Sequence, residues 1–339
     1  MVGKSFDQVV KHVEATAEKV DQSGSALVIM HNGETVLEKY WGRHSKRESA
    51  RKIQANTRFH VASVRKSYIG FAVAHAVHEG FISSIDDSVM RYLPEYNQPI
   101  MEGTTIRHLL THTHGLRGQR DSIERDFSPG TSWAYRGVGI GMLAEIVKKT
   151  TGQTVADVLA TQVFTPLHYF ESGWTGKKDE TLVDVIRKED DPAWTESLST
   201  EGDQMNMYVS ARELARWGEF HRTHGLINGH QQVSEAIIKM ATSLQSPNFA
   251  DSDLPQNGYL WFVKDKQAAK SEIGALVPQG SYQILGYTGV TVLVIPDYKL
   301  VVVRAFNSFG SPAGFDYLAD VRGFGDAVVT AYKANTILS

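Results

Sequence analysis

The hydrophobic positions of the first forty residues follow a helical spacing and then a strand spacing. Apolar residues recur every three or four positions at the start of the chain: Phe6, Val9, Val10, Val13 and Val20. This spacing predicts an amphipathic helix. The next stretch, SALVIMHNGETVLEKYWG, has two β-rich runs on either side of Asn32-Gly33, a dipeptide typical of two-residue hairpin turns. We therefore expect a first helix followed by a β-hairpin.

The rest of the chain changes from a helical to a β pattern. The run from Ser63 to His78, SVRKSYIGFAVAHAVH, is mostly apolar and predicts a buried helix that ends at Gly80. Residues 81–240 continue as helical segments with many breakers. The strand-like runs GSYQILGY, GVTVLVIP and LVVVRAF follow, with a turn signal from Pro296 to Lys299, and GFDYLADVRGFGDAVVTAYK predicts a final helix.

These patterns predict an α+β fold. Strand runs joined by short turns imply an antiparallel sheet, which helices at both chain termini would cover. We expect residues 1–80 and 245–339 to form an α/β lobe with this sheet, and residues 81–244 to form a mainly helical lobe. The two lobes would be one intimate catalytic unit, with the active site between them.

Composition narrows the classes of partner and chemistry. The chain has 339 residues, a net charge of −3 and no cysteine. Because no basic block is present, we expect no nucleic-acid partner. The absence of cysteine excludes disulfides, thiolate catalysis and Cys-ligated zinc. No apolar run reaches the length of a membrane span, and the N-terminus lacks the apolar core of a signal peptide. As written, we expect a cytoplasmic protein, or an exported one if a leader was trimmed.

Ser63-Val64-Arg65-Lys66 forms an S-x-x-K pattern, which places serine and lysine on one face of a helix. A serine hydroxyl needs a nearby base to become a nucleophile. Lysine can serve only if burial or positive charge lowers its pKa well below about 10.4, and the following apolar helix supplies burial. The pattern alone leaves a plain helix N-cap as an alternative for Ser63. A second copy, from Ser49 to Lys52, lies in a charged connector, and we interpret it as chance.

Several blocks in order resemble the serine β-lactamase and penicillin-binding-protein superfamily, and in particular the class C-type β-lactamase-related esterases and D-amino-acid peptidases. The blocks are HVASVRKSYIG, DDSVMRYLPEY, TTIRHLLTHTHGL, SPGTSWAYRGVGIGMLAEIVKKTTG, GDQMNMYVSARELARWGEFHRTHGLINGHQQVS and YQILGYTGVTVLVIPDYKLVVV. The resemblance extends from about Ala26 to Phe306. It implies the β-lactamase/DD-peptidase-like fold and a serine hydrolase that forms an acyl-enzyme.

The resemblance also implies roles for individual residues. Ser63 would be the acylated nucleophile, and Lys66 its base or proton relay. Tyr135 falls on the tyrosine of the family's Tyr-x-Asn motif and would shuttle protons, with its pKa lowered by Lys66. Tyr287-Thr288-Gly289 falls on the third motif, on an inner strand where Gly289 lets substrate lie against the backbone. The N–H of Val290 would then be the second oxyanion donor, beside that of Ser63.

Two departures from the family pattern bear on the substrate. Arg136-Gly137 replaces Ser-Asn after the motif tyrosine, and Tyr287 replaces a lysine or histidine. The site thus lacks the expected amide-binding asparagine and the cation for a substrate carboxylate, although Arg136 is a candidate replacement. An esterase acting on small-molecule or peptide-like acyl substrates fits these changes first, a D-amino-acid peptidase or amidase second, and a β-lactamase third. A non-catalytic penicillin-binding or sensor protein is the alternative outside enzymes.

The motif His108-x3-His112-x-His114 has the residue type of a metal site. The resemblance places these histidines in a structural helix-turn. We therefore expect neither a metal site nor a cofactor.

Overall fold

The computed structural model describes residues 6–96, 98–118 and 122–337, with no side chains described beyond residue 334. Its α-helices are α1 Asp7–Ala17, α2 Arg65–His78, α3 Val89–Tyr92, α4 Ile106–Leu110, α5 Val138–Thr151, α6 Val155–Leu159, α7 Thr165–Leu167, α8 Ala211–Arg222, α9 Glu235–Thr242 and α10 Tyr317–Ile337.

The strands are β1 Gly24–His31, β2 Glu34–Gly42, β3 Arg58–His60, β4 Leu116–Arg117, β5 Glu124–Arg125, β6 Ser172–Trp174, β7 Met207–Ser210, β8 Leu226–Ile227, β9 His230–Gln231, β10 Phe262–Val263, β11 Tyr282–Leu285, β12 Thr291–Ile295 and β13 Leu300–Phe306. Six of them form one sheet in the order β10-β11-β12-β13-β1-β2. All its neighbouring strands are antiparallel. The predicted α+β class with an antiparallel sheet is confirmed.

The main sheet is covered on both faces, so its central strands are apolar throughout. In β1, Ala26, Val28 and Met30 point into one hydrophobic core, whereas Leu27 and Ile29 point into the other. Side chains of α1 and α10 fill the second core, and α8 packs against β1, β12 and β13 on the other face. The alternation along β1 therefore divides the interior into two layers.

A three-stranded sheet, β3-β7-β6, leads into the central helix α2. Helix α2 is buried from Lys66 to Ala76 because α5, α6 and α9 pack around it. Ser63 precedes this helix in a 3₁₀ turn, Ala62–Val64, and α2 begins at Arg65. The prediction that the α-helix begins at Ser63 is therefore wrong by two residues.

The predicted N-terminal hairpin is confirmed. Asn32 and Gly33 connect β1 to β2 with φ angles of +53° and +86°, the left-handed conformations that a type I′ turn requires. The assignment of residues to two lobes stays a prediction. Within the described ranges, no helix combines the length and the apolar character needed to cross a membrane.

Candidate active site

Ser63 lies at the junction of the small sheet and the central helix. The N–H of Val61 donates to Met207 O at 3.0 Å, which holds the end of β3 against β7. Ala62 has a φ of +45°, a left-handed conformation that costs energy for a residue with a Cβ. The partly exposed Ser63 follows this residue directly. The strained turn thus presents the serine at the start of α2.

Lys66 is buried on the first turn of α2. Only 4% of its surface is exposed. Burial lowers the pKa of the Lys66 amine well below its ordinary value, and the nearby charge of Arg65 lowers it further. The direction of this shift agrees with the predicted lowering of the Lys66 pKa by burial, and it favours the neutral amine that a base requires.

Tyr135 lies between Ser63 and Lys66. The amine of Lys66 lies 3.7 Å from the centroid of the Tyr135 ring. Desolvation raises the pKa of Tyr135 to about 12, and it outweighs the smaller lowering effects of a hydrogen-bonding contact with Ser63 and of the charge on Arg65. The pKa of Tyr135 is thus raised and not lowered as predicted, because desolvation of the phenol is the dominant effect. The side chain is still 36% exposed, so substrate can reach it.

The three predicted catalytic side chains therefore converge through Tyr135. Ser63 is close enough to Tyr135 for its side chain to lower the pKa of the phenol, and the Lys66 amine lies on the Tyr135 ring. No hydrogen bond joins Lys66 Nζ directly to Ser63 Oγ in the part of the chain that the structure describes. Tyr135 is thus the bridge between nucleophile and amine.

Two aromatic rings hold Tyr135 in place. The ring of His112 lies 4.5 Å from it, and Phe262 stacks on it at 6.2 Å with the planes 12° apart. Both nitrogens of His112 are buried without a hydrogen-bond partner. Burial lowers the pKa of His112 well below its ordinary value. We did not single out His112 from the sequence as part of this site, because nothing local shows that its ring faces a residue 23 positions later.

Arg65 is a further charged residue that the sequence reading passed over. Its Nε donates to Gln204 O at 2.8 Å, and Nη1 is buried without a partner. Burial lowers the pKa of Arg65 to about 10, so the guanidinium remains charged at neutral pH. The position of Arg65 inside the S-x-x-K pattern could have indicated this role, since it brings a cation within one helical turn of Lys66.

The third motif lies in the turn between β11 and β12, and not on a strand as predicted. Gly289 has a φ of +81°, and a Cβ built there would lie 2.9 Å from the ring of Phe306. The glycine that approaches the nucleophile is Gly286, where a Cβ would lie 2.3 Å from Val61 O. The predicted approach of substrate to Gly289 stays a prediction.

Thr288 and Tyr287 occupy opposite environments in this turn. The hydroxyl of Thr288 is buried and donates to His60 O at 2.6 Å, which ties the turn to the end of β3. Thr288 therefore has a structural contact, and its predicted role in substrate binding stays a prediction. Tyr287 is 48% exposed and packs edge-on against Phe309 at 4.8 Å. No described contact joins Tyr287 or Val290 to Ser63, so their predicted roles stay predictions.

Arg136, the candidate replacement for the missing cation, pairs with Asp126 at 3.1 Å on the surface. Its binding of a substrate carboxylate would compete with this ion pair and stays a prediction.

Glu272 is a buried carboxyl group that the sequence did not indicate. Its Oε2 has no hydrogen-bond partner, and burial raises the pKa of Glu272 to about 7. A negative charge on Glu272 raises the pKa of Tyr135 further. This carboxyl is therefore one more group that keeps Tyr135 protonated.

The other two histidines of the H-x3-H-x-H pattern make local contacts in different directions. The Nδ1 of His108 accepts from the N–H of Thr105, at the start of α4, at 3.1 Å. The Nδ1 of His114 accepts from the N–H of Leu116 at 2.9 Å. No group of three metal-binding side chains occurs in the described ranges.

The chain has relatives over its whole length. An uncharacterised protein of Alkalihalophilus pseudofirmus is 58% identical over 330 residues, which cover 97% of each chain. Esterase EstB of Burkholderia gladioli is 29% identical over 195 residues, which span about half of each chain, 47% of this one and 49% of EstB. The match to EstB covers too little of either chain to assign the activity of EstB to this protein.

Solved structures show the same fold at low sequence identity. A class C beta-lactamase superposes with a TM-score of 0.75 at 17% identity, covering 98% of this chain and 96% of its own. EstCE1, described as a hydrolase with promiscuous acyltransferase activity, gives a TM-score of 0.73 at 20% identity, covering 96% and 99%. A family model named Beta-lactamase matches residues 9–325. Since that match covers nearly the whole chain, this protein belongs to the beta-lactamase family.

Proposed function

We propose that this protein is a serine hydrolase that cleaves an ester or amide carbonyl through an acyl-enzyme on Ser63. One observation carries the proposal: the buried amine of Lys66 lies 3.7 Å from the centroid of the Tyr135 ring, and Ser63 is close enough to Tyr135 for its side chain to lower the pKa of the phenol. A nucleophile next to a proton-transfer group and a base is the arrangement that covalent acyl transfer requires.

The protonation states suggest the order of proton transfers. Tyr135 is a neutral phenol at neutral pH, and the lowered pKa of Lys66 makes its amine the base in this scheme. As Ser63 attacks the carbonyl carbon, its proton passes to the Tyr135 oxygen while the Tyr135 proton passes to the Lys66 amine. The reverse transfers protonate the leaving group when the carbonyl is restored. Water then attacks the acyl-enzyme by the same route.

The oxyanion of the tetrahedral intermediate needs backbone donors. The N–H of Ser63, at the start of the α2 segment, is one. We predicted the N–H of Val290 as the second. The approach of Gly286 to Val61 favours the N–H of Tyr287, the next residue, over that of Val290.

An ester is the substrate class we place first. Arg136-Gly137 leaves the site without the asparagine that holds a substrate amide in similar proteins, and Arg136 is occupied by Asp126. The name of EstB, an esterase, supports an ester as the first choice of substrate, and EstCE1 is named a hydrolase. A D-amino-acid peptidase or amidase is second, and a β-lactamase third.

Intact mass spectrometry after exposure to a fluorophosphonate tests the nucleophile. We expect one adduct on the wild-type protein and none on Ser63→Ala. Ser49→Ala, which changes the other S-x-x-K copy, is the matched control and should be labelled like wild type. Equal labelling of Ser63→Ala would reject the proposal.

Steady-state rates on a p-nitrophenyl acyl ester, a D-Ala-terminated peptide and a chromogenic cephalosporin then rank the substrates. Faster turnover of the cephalosporin than of the ester would overturn our order. A single burst of p-nitrophenol without turnover would instead indicate the sensor alternative.

A further inference from the structure

His112 is a buried polar group that the proposed mechanism does not use. Only 1% of its surface is exposed, and neither ring nitrogen has a hydrogen-bond partner among the described residues. A buried polar atom without a partner costs free energy, and native structures retain few of them. Packing alone would be served better by an apolar ring. The imidazole at this position therefore indicates a role for one of its nitrogens.

The backbone around His112 fixes the place of its ring. His112 has a φ of +57°, a left-handed conformation that costs energy for a residue with a Cβ. The carbonyl of His112 accepts from the N–H of Ala134 at 3.0 Å, and the carbonyl of Thr113 accepts from the N–H of Gly130 at 2.8 Å. These bonds join the strained turn at His112 to the segment that carries Tyr135. The imidazole is thus held in the wall of the candidate active site.

The imidazole and the amine of Lys66 lie against the same phenol ring. The ring centroids of His112 and Tyr135 are 4.5 Å apart, and Lys66 Nζ lies 3.7 Å from the Tyr135 centroid. The amine and the imidazole centroid are therefore separated by no more than these two distances together. After burial, the charge on Lys66 is the largest effect that lowers the pKa of His112, ahead of the charge on His114. Both observations place the imidazole beside Lys66.

Lys66 needs a hydrogen-bond acceptor once it has taken a proton. Burial and the charge on Arg65 lower its pKa, with no contribution from a hydrogen bond to any described residue. When Ser63 attacks, the proposed relay turns the amine of Lys66 into an ammonium with three N–H donors. A buried ammonium without acceptors is costly. The reaction therefore creates a demand for an acceptor that the resting protein does not have.

The imidazole of His112 can supply this acceptor. Burial holds the pKa of His112 well below its ordinary value, so near neutral pH one of its ring nitrogens carries a lone pair. A lysine has a flexible stem and three rotatable donors, so the ammonium of Lys66 can turn from the Tyr135 ring toward this nitrogen. An acceptor that is unused before the reaction and used in the charged state stabilises the charged state selectively.

We propose that His112 is a positioning residue that acts through Lys66: the unprotonated nitrogen of its ring accepts a hydrogen bond from the Lys66 ammonium that forms as Ser63 attacks the carbonyl. The inference rests on the proposed function, because the ammonium forms only if Lys66 is the final proton acceptor. The other charged or titratable groups around the pair are Arg65, Tyr135 and His114. The variants that test the proposal leave Arg65 and Tyr135 in place.

The pH dependence of Ser63 labelling by a fluorophosphonate tests the inference without a substrate. His112→Phe keeps a ring beside Tyr135 but removes the acceptor, whereas His112→Gln keeps an acceptor oxygen near the position of Nε2. For His112→Phe, we expect the plateau rate to fall about tenfold, since a hydrogen bond to a charged group is lost. Its acid limb should move to lower pH by about one unit, because the ammonium form of Lys66 loses a partner. His112→Gln should keep the limb near its wild-type position.

His114→Phe is the matched control. It removes a second buried imidazole, whose Nδ1 accepts from the N–H of Leu116 at 2.9 Å, so it should lower stability and leave the acid limb in place. An unmoved limb in His112→Phe, or equal shifts in the Phe and Gln variants of His112, would overturn the proposal. Failure of the wild-type protein to be labelled on Ser63 would instead reject the proposed function, so the two failures are distinguishable.

A measurement on the wild-type protein covers the case in which the His112 variants do not fold. In protein labelled with ¹⁵N-histidine, the His112 signals are assigned through the contacts of its ring with Trp133 and Tyr135. The resonance of the unprotonated nitrogen should shift upfield as the pH falls through the acid limb, because this nitrogen then accepts from the Lys66 ammonium. A resonance that stays unmoved across the limb would overturn the proposal.

Discussion

Gly286→Ala should disturb the candidate active site without changing any side chain that takes part in the chemistry. Gly286 directly follows β11, and a Cβ added to it would lie 2.3 Å from Val61 O, whereas ordinary contacts begin near 3.4 Å. This neighbour is a backbone oxygen, which cannot rotate away. The end of β3, the end of β11, or both must therefore move by about 1 Å.

The expected losses of activity and stability follow from this displacement. Val61 is two residues before Ser63, and the N–H of Tyr287 directly follows Gly286. A shift between the two therefore separates the nucleophile from an oxyanion donor. A misplacement of about 1 Å costs on the order of 100-fold in rate, and a single overpacked methyl group costs about 1–3 kcal/mol of unfolding free energy. We expect both losses, with the larger effect on kcat/KM.

The assay is kcat/KM for a p-nitrophenyl ester together with urea unfolding. Gly141→Ala is the matched control, because Gly141 lies on the exposed face of α5 and a Cβ there has no neighbour within 4 Å. That variant should keep full activity and gain about 0.5–1 kcal/mol of stability from the better helix propensity of alanine. A Gly286→Ala protein with kcat/KM within threefold of wild type would refute the reasoning.

Three further predictions concern proton transfer and the interior. Tyr135→Phe keeps the ring under Lys66 but removes the hydroxyl, so kcat/KM should fall by about 10²–10⁴; an unchanged rate would contradict the relay. Arg65→Met removes a cation that lowers the pKa of Lys66, so the acid limb of the kcat/KM–pH profile should move to higher pH, and a shift in the other direction would refute it. Asp320→Asn breaks a buried 2.6 Å ion pair with Arg304, which should cost about 3–5 kcal/mol in urea unfolding; a loss below about 1 kcal/mol would mean that the pair behaves as a surface contact.

The fold could be predicted because its signals are local. Asn32-Gly33 specifies a turn by the backbone angles that these two residues tolerate, and the structure has those angles. The apolar run of α2 predicts burial on all sides, and the helix is buried from Lys66 to Ala76. Such patterns depend on residues within one turn or hairpin. They do not require knowledge of which distant segment packs against them.

The third motif could not be placed in the same way. Gly286 and Gly289 occur in one short turn, and either fits a glycine that approaches another chain segment. What distinguishes them is the segment that each one faces: Val61 O for Gly286 and Phe306 for Gly289. Those neighbours are more than 200 and about 20 residues away, and only the assembled sheet brings them into place. The packing of Gly286 against Val61 therefore depends on tertiary structure that leaves no local trace in the sequence.

Protonation states were the least predictable part of the site, and they depend on burial more than on charged neighbours. The sequence suggested that Lys66 would carry positive charge to Tyr135, but desolvation lowers the pKa of the amine and raises the pKa of Tyr135 instead. Burial also lowers the pKa of His112, which packs against the same ring. Arg65 retains its charge because the pKa of a guanidinium starts so high that a lowering to about 10 leaves it protonated. Burial therefore favours the uncharged forms of the amine and the phenol, whereas Arg65, next to Lys66 in the chain, keeps its positive charge.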